Sequence, residues 1–208
     1  MNIKSICLGP ISANCYAFCD EKGEGAVVDP GDYNVQLEKV IEECGIKTLK
    51  YIICTHSHFD HVSGVGRLKE KHPDAQVVVG KEDAPALSDA VLSASADFGL
   101  VFYPCYADKT VVDNDVLIIG NILLKVVATP GHTKGSIVLH CEEEKIAFTG
   151  DTIFKESAGR TDFYGGSHVA LMASLQKIKR FASDTILLCG HGENTTVENE
   201  IKYNPYVL

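Results

Sequence analysis

Thr55-His56-Ser57-His58-Phe59-Asp60-His61 places three histidines and an aspartate within seven residues, directly after the apolar run 49–54. In a chain of this composition the pattern H-x-H-x-D-H arises by chance in about one sequence in a thousand. Imidazole and carboxylate donors suit zinc, iron or manganese better than calcium or magnesium. Residues 49–54 read as a strand, and side chains two apart on extended chain share a face, so His56 and His58 point the same way. Asp60 and His61, at the turn into a following helix, project to a neighbouring point. One metal ion would take His56 and His58, and a second Asp60 and His61. The competing reading is a hydrophilic surface turn, but three histidines rarely cluster without a metal or proton role.

Two protein donors per ion are too few, so further ligands are expected from elsewhere in the chain. Three later strand ends offer them. Thr129-Pro130-Gly131-His132 follows the apolar run 122–128, Thr149-Gly150-Asp151 follows 145–148, and Cys189-Gly190-His191-Gly192 follows 185–188. Each sets a metal-binding residue just past a strand and beside a glycine, which permits close backbone approach. Any one of them alone reads as a turn. Four strand ends that deliver only His and Asp are harder to explain without a metal.

Working outward, short strands are expected over 3–8, 14–19 and 25–28, punctuated by Gly23, Gly25 and the Asp29-Pro30-Gly31 turn. The spacing of Val35, Leu37, Val40 and Ile41 predicts a helix over 34–44, with Gly45 as its stop. A helix over 61–72 ends at Pro73, followed by a strand over 76–79 and a short helix over 83–87. Residues 93–109 have weak periodicity but carry Phe98, Phe102, Tyr103 and Tyr106, as a loop bordering a site would. Strands resume over 116–119, 122–128, 136–140 and 145–148. In the helix 169–181, Val169, Met172, Leu175 and Ile178 share one face. A strand over 185–188 and a short helix over 196–203 close the chain. Strands in blocks with helices between them predict two sheets in the middle and helices outside.

The 208 residues fit one domain, 1–208. A formal net charge of −9 opposes both a phosphate-tracking nucleic-acid binder and electrostatic docking on anionic membranes, and leaves room for a local basic pocket for a small anion; the expected partner is a small-molecule substrate. Residues 1–7 hold no apolar run like that of a signal peptide, and no later segment reads as a membrane span. The eight cysteines are scattered without a C-x-x-C pair, and several sit in apolar strands. They are expected to be reduced thiols of a cytoplasmic protein.

This set of motifs resembles the metallo-β-lactamase superfamily over nearly the whole chain. The resemblance implies an α/β fold, a four-layer αββα sandwich with its sites on loops at one edge of the two sheets. Carried over by motif, it implies a first metal on His56, His58 and His132, a second on Asp60, His61 and His191, and Asp151 bridging both. True β-lactamases usually have Cys at the bridging position and are exported, so Asp151 and the N-terminus point away from antibiotic hydrolysis. Within the superfamily the chain is most similar to glyoxalase II-like (hydroxyacylglutathione hydrolase-like) enzymes. The matching stretches are 55–61, 129–136, 149–154, Gly159-Arg160 through Gly165-Gly166, 190–196 and Asn204-Pro205. Two departures stand out. Glyoxalase II has a further C-terminal helical domain that helps hold glutathione, whereas this chain stops soon after His191. The loop after Gly159 also differs: Arg160 falls at a basic glutathione contact, but Asp162 occupies the tyrosine register and Tyr164 is displaced. Arg160 and Tyr164 are therefore the expected substrate contacts, with an Arg160–Asp162 surface pair as the alternative for Arg160.

The implied cofactors are two divalent ions, zinc first, with iron or manganese tolerated by the same donors. Such a pair activates water for attack on a carbonyl, with Asp60 and Asp151 as the catalytic carboxylates that hold the ions and orient the nucleophile. The expected substrate is a thioester such as a hydroxyacyl-glutathione. The alternatives are a persulfide dioxygenase-like oxidoreductase with one iron on His56, His132 and Asp151, or a lactone or phosphoester hydrolase of the same fold. His72, His140 and His168 lie outside the cluster and are expected to be structural.

Overall fold

The computed structural model describes residues 1–99 and 103–207, and in it the apolar runs assemble into two six-stranded sheets. The first sheet places β1 (Asn2–Leu8), β2 (Ala13–Cys19), β3 (Glu24–Val28), β4 (Thr48–Cys54), β5 (Gln76–Gly80) and β6 (Lys109–Val111) side by side in chain order. The later strands are β7 (Val116–Ile119), β8 (Ile122–Ala128), β9 (Ile137–Cys141), β10 (Ile146–Gly150), the hairpin β11 (Ile153–Phe154) and β12 (Ser157–Ala158), β13 (Ile186–Cys189) and β14 (Thr195–Thr196). All but the hairpin form the second sheet, in the order β14-β13-β10-β9-β8-β7. The helices are α1 (Val35–Cys44), α2 (Phe59–Val62), α3 (Val65–Lys71), α4 (His168–Ile178) and α5 (Val197–Tyr203).

Strand direction decides where the loops emerge. In the first sheet β3, β4 and β5 are mutually parallel, so the loops after β3 and β4 leave at the same edge. In the second, β9 is antiparallel to both β8 and β10, and β13 is parallel to β10. The ends of β8, β10 and β13 therefore also leave together.

Alternation along each strand fills three cores. Between the sheets, Tyr16, Phe18, Val28 and Ile53 meet Leu124, Ile137, Leu139 and Phe148, with the Phe18 and Phe148 rings 5.1 Å apart. The outer face of the first sheet, including Ala17, Val27 and Ile52, is covered by Leu37 and Ile41 of α1 and Leu68 of α3. The outer face of the second, including Val138, Ala147 and Leu187, lies under Leu175 and Ile178 of α4 and Val197 of α5. The result is the expected four-layer αββα sandwich.

Most elements fall where the sequence places them. Asn34 caps α1 by accepting the Gln36 and Leu37 N–H groups, and Gly45 ends it at φ +92°, in the left-handed region that glycine tolerates. Three expectations change. The single helix over 61–72 is broken into α2 and α3, because the Gly64 N–H donates to the Pro30 carbonyl at 2.8 Å instead of continuing the helical ladder. On α4 the expected Leu175 and Ile178 are buried and Met172 packs against them, but in the first turn Leu171 is buried and Val169 is 80% exposed. At about 100° per residue Val169 lies on nearly the opposite side from Leu171. The segment 93–109 does border the cavity over the cluster, through Ala94 and Phe98, but it holds a short 3-10 turn at Ser95–Phe98 and its last residue begins β6; Phe102 lies outside the described residues. All eight cysteines are free thiols. Among the described residues, no helix is long and apolar enough to cross a membrane.

Candidate metal centre

β4 ends at Cys54, and the next residue anchors the histidine loop. The Thr55 N–H donates to Asp29 Oδ1 and its hydroxyl to Asp29 Oδ2, both at 2.7 Å. With that hydroxyl proton committed, His56 Nδ1–H is the donor in its 3.1 Å contact with Thr55 Oγ1. His56 Nε2 is then left with a bare lone pair, buried and without a hydrogen-bond partner. The same logic applies twice more. His61 Nδ1–H donates to Asp29 Oδ2 at 3.0 Å, and His132 Nδ1–H donates to the Arg160 carbonyl at 2.8 Å. A partner on one ring nitrogen selects the tautomer and aims the other nitrogen as a ligand.

The remaining nitrogens converge. His58 Nδ1 and His132 Nε2 are 2.8 Å apart, and His61 Nε2 lies 3.3 Å from His191 Nε2. Asp60 Oδ2 sits 3.2 Å from His61 Nε2 and 3.0 Å from His191 Nε2. Asp151 stands between the two groups: its Oδ1 is 3.3 Å from His61 Nε2, and its Oδ2 is 3.6 Å from His132 and 3.7 Å from His191. Asp151 Oδ1 is buried with no hydrogen-bond partner. The donor atoms of His56, His58 and His132 all lie within 4.8 Å of one another, as do those of Asp60, His61 and His191. A third such group, Asp29 with His56 and His61, is a hydrogen-bonding support, because both Asp29 oxygens are already engaged.

The electrostatics match this placement. Burial, reinforced by the neighbouring histidines, holds His56 neutral and pushes His58 down to about 3. Burial also opposes charge on His61, but the Asp151 and Asp60 carboxylates overcome it and raise its pKa. Burial favours the neutral form of Asp60 and Asp151 as well, yet His61 beside them keeps both pKa values low. Two carboxylates set among converging imidazole nitrogens form an environment that a divalent cation fits, and the partnerless His56 Nε2 and Asp151 Oδ1 are the atoms that register the fit.

Close backbone approach makes the convergence possible. A Cβ on Gly190 would fall 2.1 Å from Asp151 Oδ1 and 2.8 Å from the His61 ring, so His191 reaches the cluster only because glycine precedes it. A Cβ on Gly31 would fall 1.7 Å from the Asp60 carbonyl oxygen, which keeps the Asp29 turn against the histidine loop.

The sequence profile of the metallo-beta-lactamase superfamily matches residues 8–191. The chain belongs to the metallo-beta-lactamase superfamily. It is 31% identical to hydroxyacylglutathione hydrolase GloC of Haemophilus influenzae, covering 100% of this chain and 98% of that protein. Among solved structures it is similar to the BLEG-1 B3 metallo-beta-lactamase, with a TM-score of 0.92 at 33% identity and 99% of each chain covered. It is also similar to TTHA1623 in a di-iron-bound form, with a TM-score of 0.87 at 31% identity, covering 98% of this chain and 99% of that one.

The structure of this superfamily member brings His56, His58, Asp60, His61, His132, Asp151 and His191 into one cluster and places Arg160 at its rim. Tyr164 is not brought there. It is exposed, sits over Lys134 and lines a neighbouring cavity with Asp83. The other three histidines lie apart from the cluster: His72 contacts Glu38 at 3.2 Å, His140 stacks on Phe181, and His168 opens α4.

Three supporting residues escaped the sequence reading. Asp29 holds Thr55 and His61, yet in sequence it is half of a turn; an acidic residue at a fifth strand end was the available signal. Asp83 accepts from the Ser57 N–H (3.0 Å), the Thr133 hydroxyl (2.7 Å) and the Gly135 N–H (2.6 Å), tying the histidine loop to the His132 loop. Asn14 Nδ2 donates to the Cys189 and Gly192 carbonyls at 2.9 and 3.0 Å, which brackets His191. Nothing in sequence marks the last two.

Proposed function

We propose that this chain is a dinuclear-metal hydrolase that cleaves thioesters. The observation that carries the reading is Asp151 between two three-donor groups, all opening on one cavity lined by His58, Asp60, His132 and His191. His56, His58 and His132 would hold one ion, Asp60, His61 and His191 the other, with Asp151 shared. When bound, such ions supply Lewis-acid activation of water and of a carbonyl oxygen. The cluster's own part is to present oriented donors: Asp29 and Thr55 fix the rings of His61 and His56, and before metal binds His61 already holds Asp60 and Asp151 as carboxylates, the form that takes a cation. Water oxygen adds to the carbonyl carbon, the C–S bond breaks, and the products are a carboxylic acid and a thiol. A thiol with a pKa of about 8.5 leaves with little help from a general acid, so no further acid is needed. No cysteine or serine nucleophile is required, and Cys189 beside His191 is buried.

The thioester bond, rather than a lactone or phosphoester, is supported by the whole-length similarity to a protein named hydroxyacylglutathione hydrolase. The test is elemental analysis of the purified protein together with thioester hydrolysis, for the parent and for His58→Ala and Asp151→Ala. Two equivalents of metal and turnover in the parent, both reduced in the variants, is the expected result. Full activity and normal metal loading in either variant would overturn the reading.

A further inference from the structure

We propose that the cavity over the metal ligands selects thioesters whose arms are uncharged and apolar, and that Asp162 enforces the choice by occupying Arg160. This rests on the thioester-hydrolase reading and names its substrate class.

The cavity is about 370 Å³, and its floor is polar while its walls are not. Phe98 and Phe163 stand on one side with ring centroids 6.2 Å apart, Phe163 also packing edge-on to His58 at 5.4 Å. Phe154, 6.1 Å from the His191 ring, lies on the other, and Ile11 completes the rim. Ile11 and Phe98 are nearly half exposed, which leaves apolar surface in water beside a polar floor. An apolar arm removes that surface from water in proportion to the area it covers.

Along the walls, away from the metal-binding floor, a charged arm meets a single cationic side chain. Arg160 is the one lysine or arginine among the described residues lining the cavity. Its Nε and one Nη donate to the two Asp162 oxygens, each at 2.7 Å, and its guanidinium carbon lies 3.9 Å from the Phe163 ring centre. That edge of the guanidinium is therefore filled and one face is stacked, leaving the second Nη as the donor still open. The Arg160 hydrogen bond pulls Asp162 down to about 2, so the pair stays ionised throughout the neutral range. A glutathione arm carries two carboxylates. To form a bidentate pair on that edge it must displace Asp162, and to reach the remaining Nη it must approach against the Asp162 charge.

The experiment compares two thioesters with the same hexanoyl group, one of uncharged N-acetylcysteamine and one of glutathione, on the metal-loaded protein. Calorimetric binding of the matching hexyl thioethers, which cannot be hydrolysed, gives a readout independent of turnover. The parent protein should favour the uncharged thioester by about tenfold in kcat/KM, and the uncharged thioether should bind more tightly. Asp162→Asn, which removes the negative charge and weakens the hold on Arg160, should narrow both ratios several-fold by improving the glutathione compound. Phe163→Ala should raise KM for the uncharged hexanoyl ester more than it lowers kcat. A parent preference for the glutathione compounds in binding, or ratios unmoved by Asp162→Asn, would overturn the selectivity. Absence of any thioester hydrolysis with metal bound would instead overturn the thioesterase reading, and the thioether affinities would still judge the cavity.

Discussion

Four donors, His56, His58, Asp60 and His61, leave the first sheet in a single seven-residue loop after β4, whereas the second sheet delivers His132, Asp151 and His191 from three loops after β8, β10 and β13. The first set is organised locally: one strand end, one short helix, and Asp29 from the adjacent parallel strand. The second is organised by packing. Its members meet only because β8, β10 and β13 point the same way, and because α4 braces the His132 turn through Ser174 Oγ to the Pro130 carbonyl at 2.8 Å and the Ser167 N–H to the Gly131 carbonyl at 2.8 Å. Asp83 and Asn14 then lace the second set to the first sheet. A ligand set assembled from both kinds should fail differently on each side.

Asp151→Ala breaks the comparison most severely, because it removes the residue that both groups face. Metal content should fall, and activity should drop by more than the roughly 10–100-fold typical of losing an outer partner, as measured by elemental analysis and thioesterase assay. Asp29→Ala attacks the first-sheet side through its support alone. It frees Thr55 and His61, and metal affinity should fall by about 10–100-fold in a competitive chelator titration while the fold persists in circular dichroism. Unchanged affinity would remove Asp29 from the account. Asp83→Asn tests the lacing between the sets, and a loss of about tenfold is expected, since a carboxamide accepts fewer of the three hydrogen bonds.

Proton competition sharpens the picture of the shared cluster. The folded protein raises the His61 pKa, so the metal-free cluster binds a proton there more tightly than an ordinary histidine does, and an incoming cation must displace it. Metal affinity should therefore rise with pH, by about tenfold per unit while that one proton remains bound, and fall as pH is lowered. Affinity independent of pH between 6 and 8 would contradict the assignment of His61 Nε2 as a ligand atom. The smallest test concerns the packing that the second set depends on. Leu175→Ala should destabilise by about 2–5 kcal/mol, and Val169→Ala, at 80% exposure, by less than about 0.5 kcal/mol in urea unfolding. Equal effects would put the wrong face of α4 against the second sheet.

All seven proposed metal ligands were legible in the amino-acid sequence, and so was the layering of two sheets between helices. Both are local signals: a histidine or aspartate beside a glycine at the end of an apolar run, and alternation over five to seven residues. What the sequence left open lies in pairs distant along the chain. Asp29 meets Thr55 across 26 positions, Asp83 meets Thr133 across 50, and Asn14 meets Cys189 across 175. No local pattern encodes such a partner, because a carboxylate or amide at a turn satisfies its hydrogen bonds equally well with water. The break between α2 and α3 was hidden for the same reason, since it depends on the Pro30 carbonyl claiming the Gly64 N–H. On α4 the expected Met172, Leu175 and Ile178 do face the second sheet, and only the first turn was misplaced, where Leu171 and not Val169 is buried. At the cavity rim Arg160 and Asp162 sit two residues apart, but the Phe163 ring and the shared opening that give their pairing chemical meaning exist only in the folded chain. Sequence determined which atoms were available to bind; tertiary packing decided which of them are bare, which are engaged, and which way each faces.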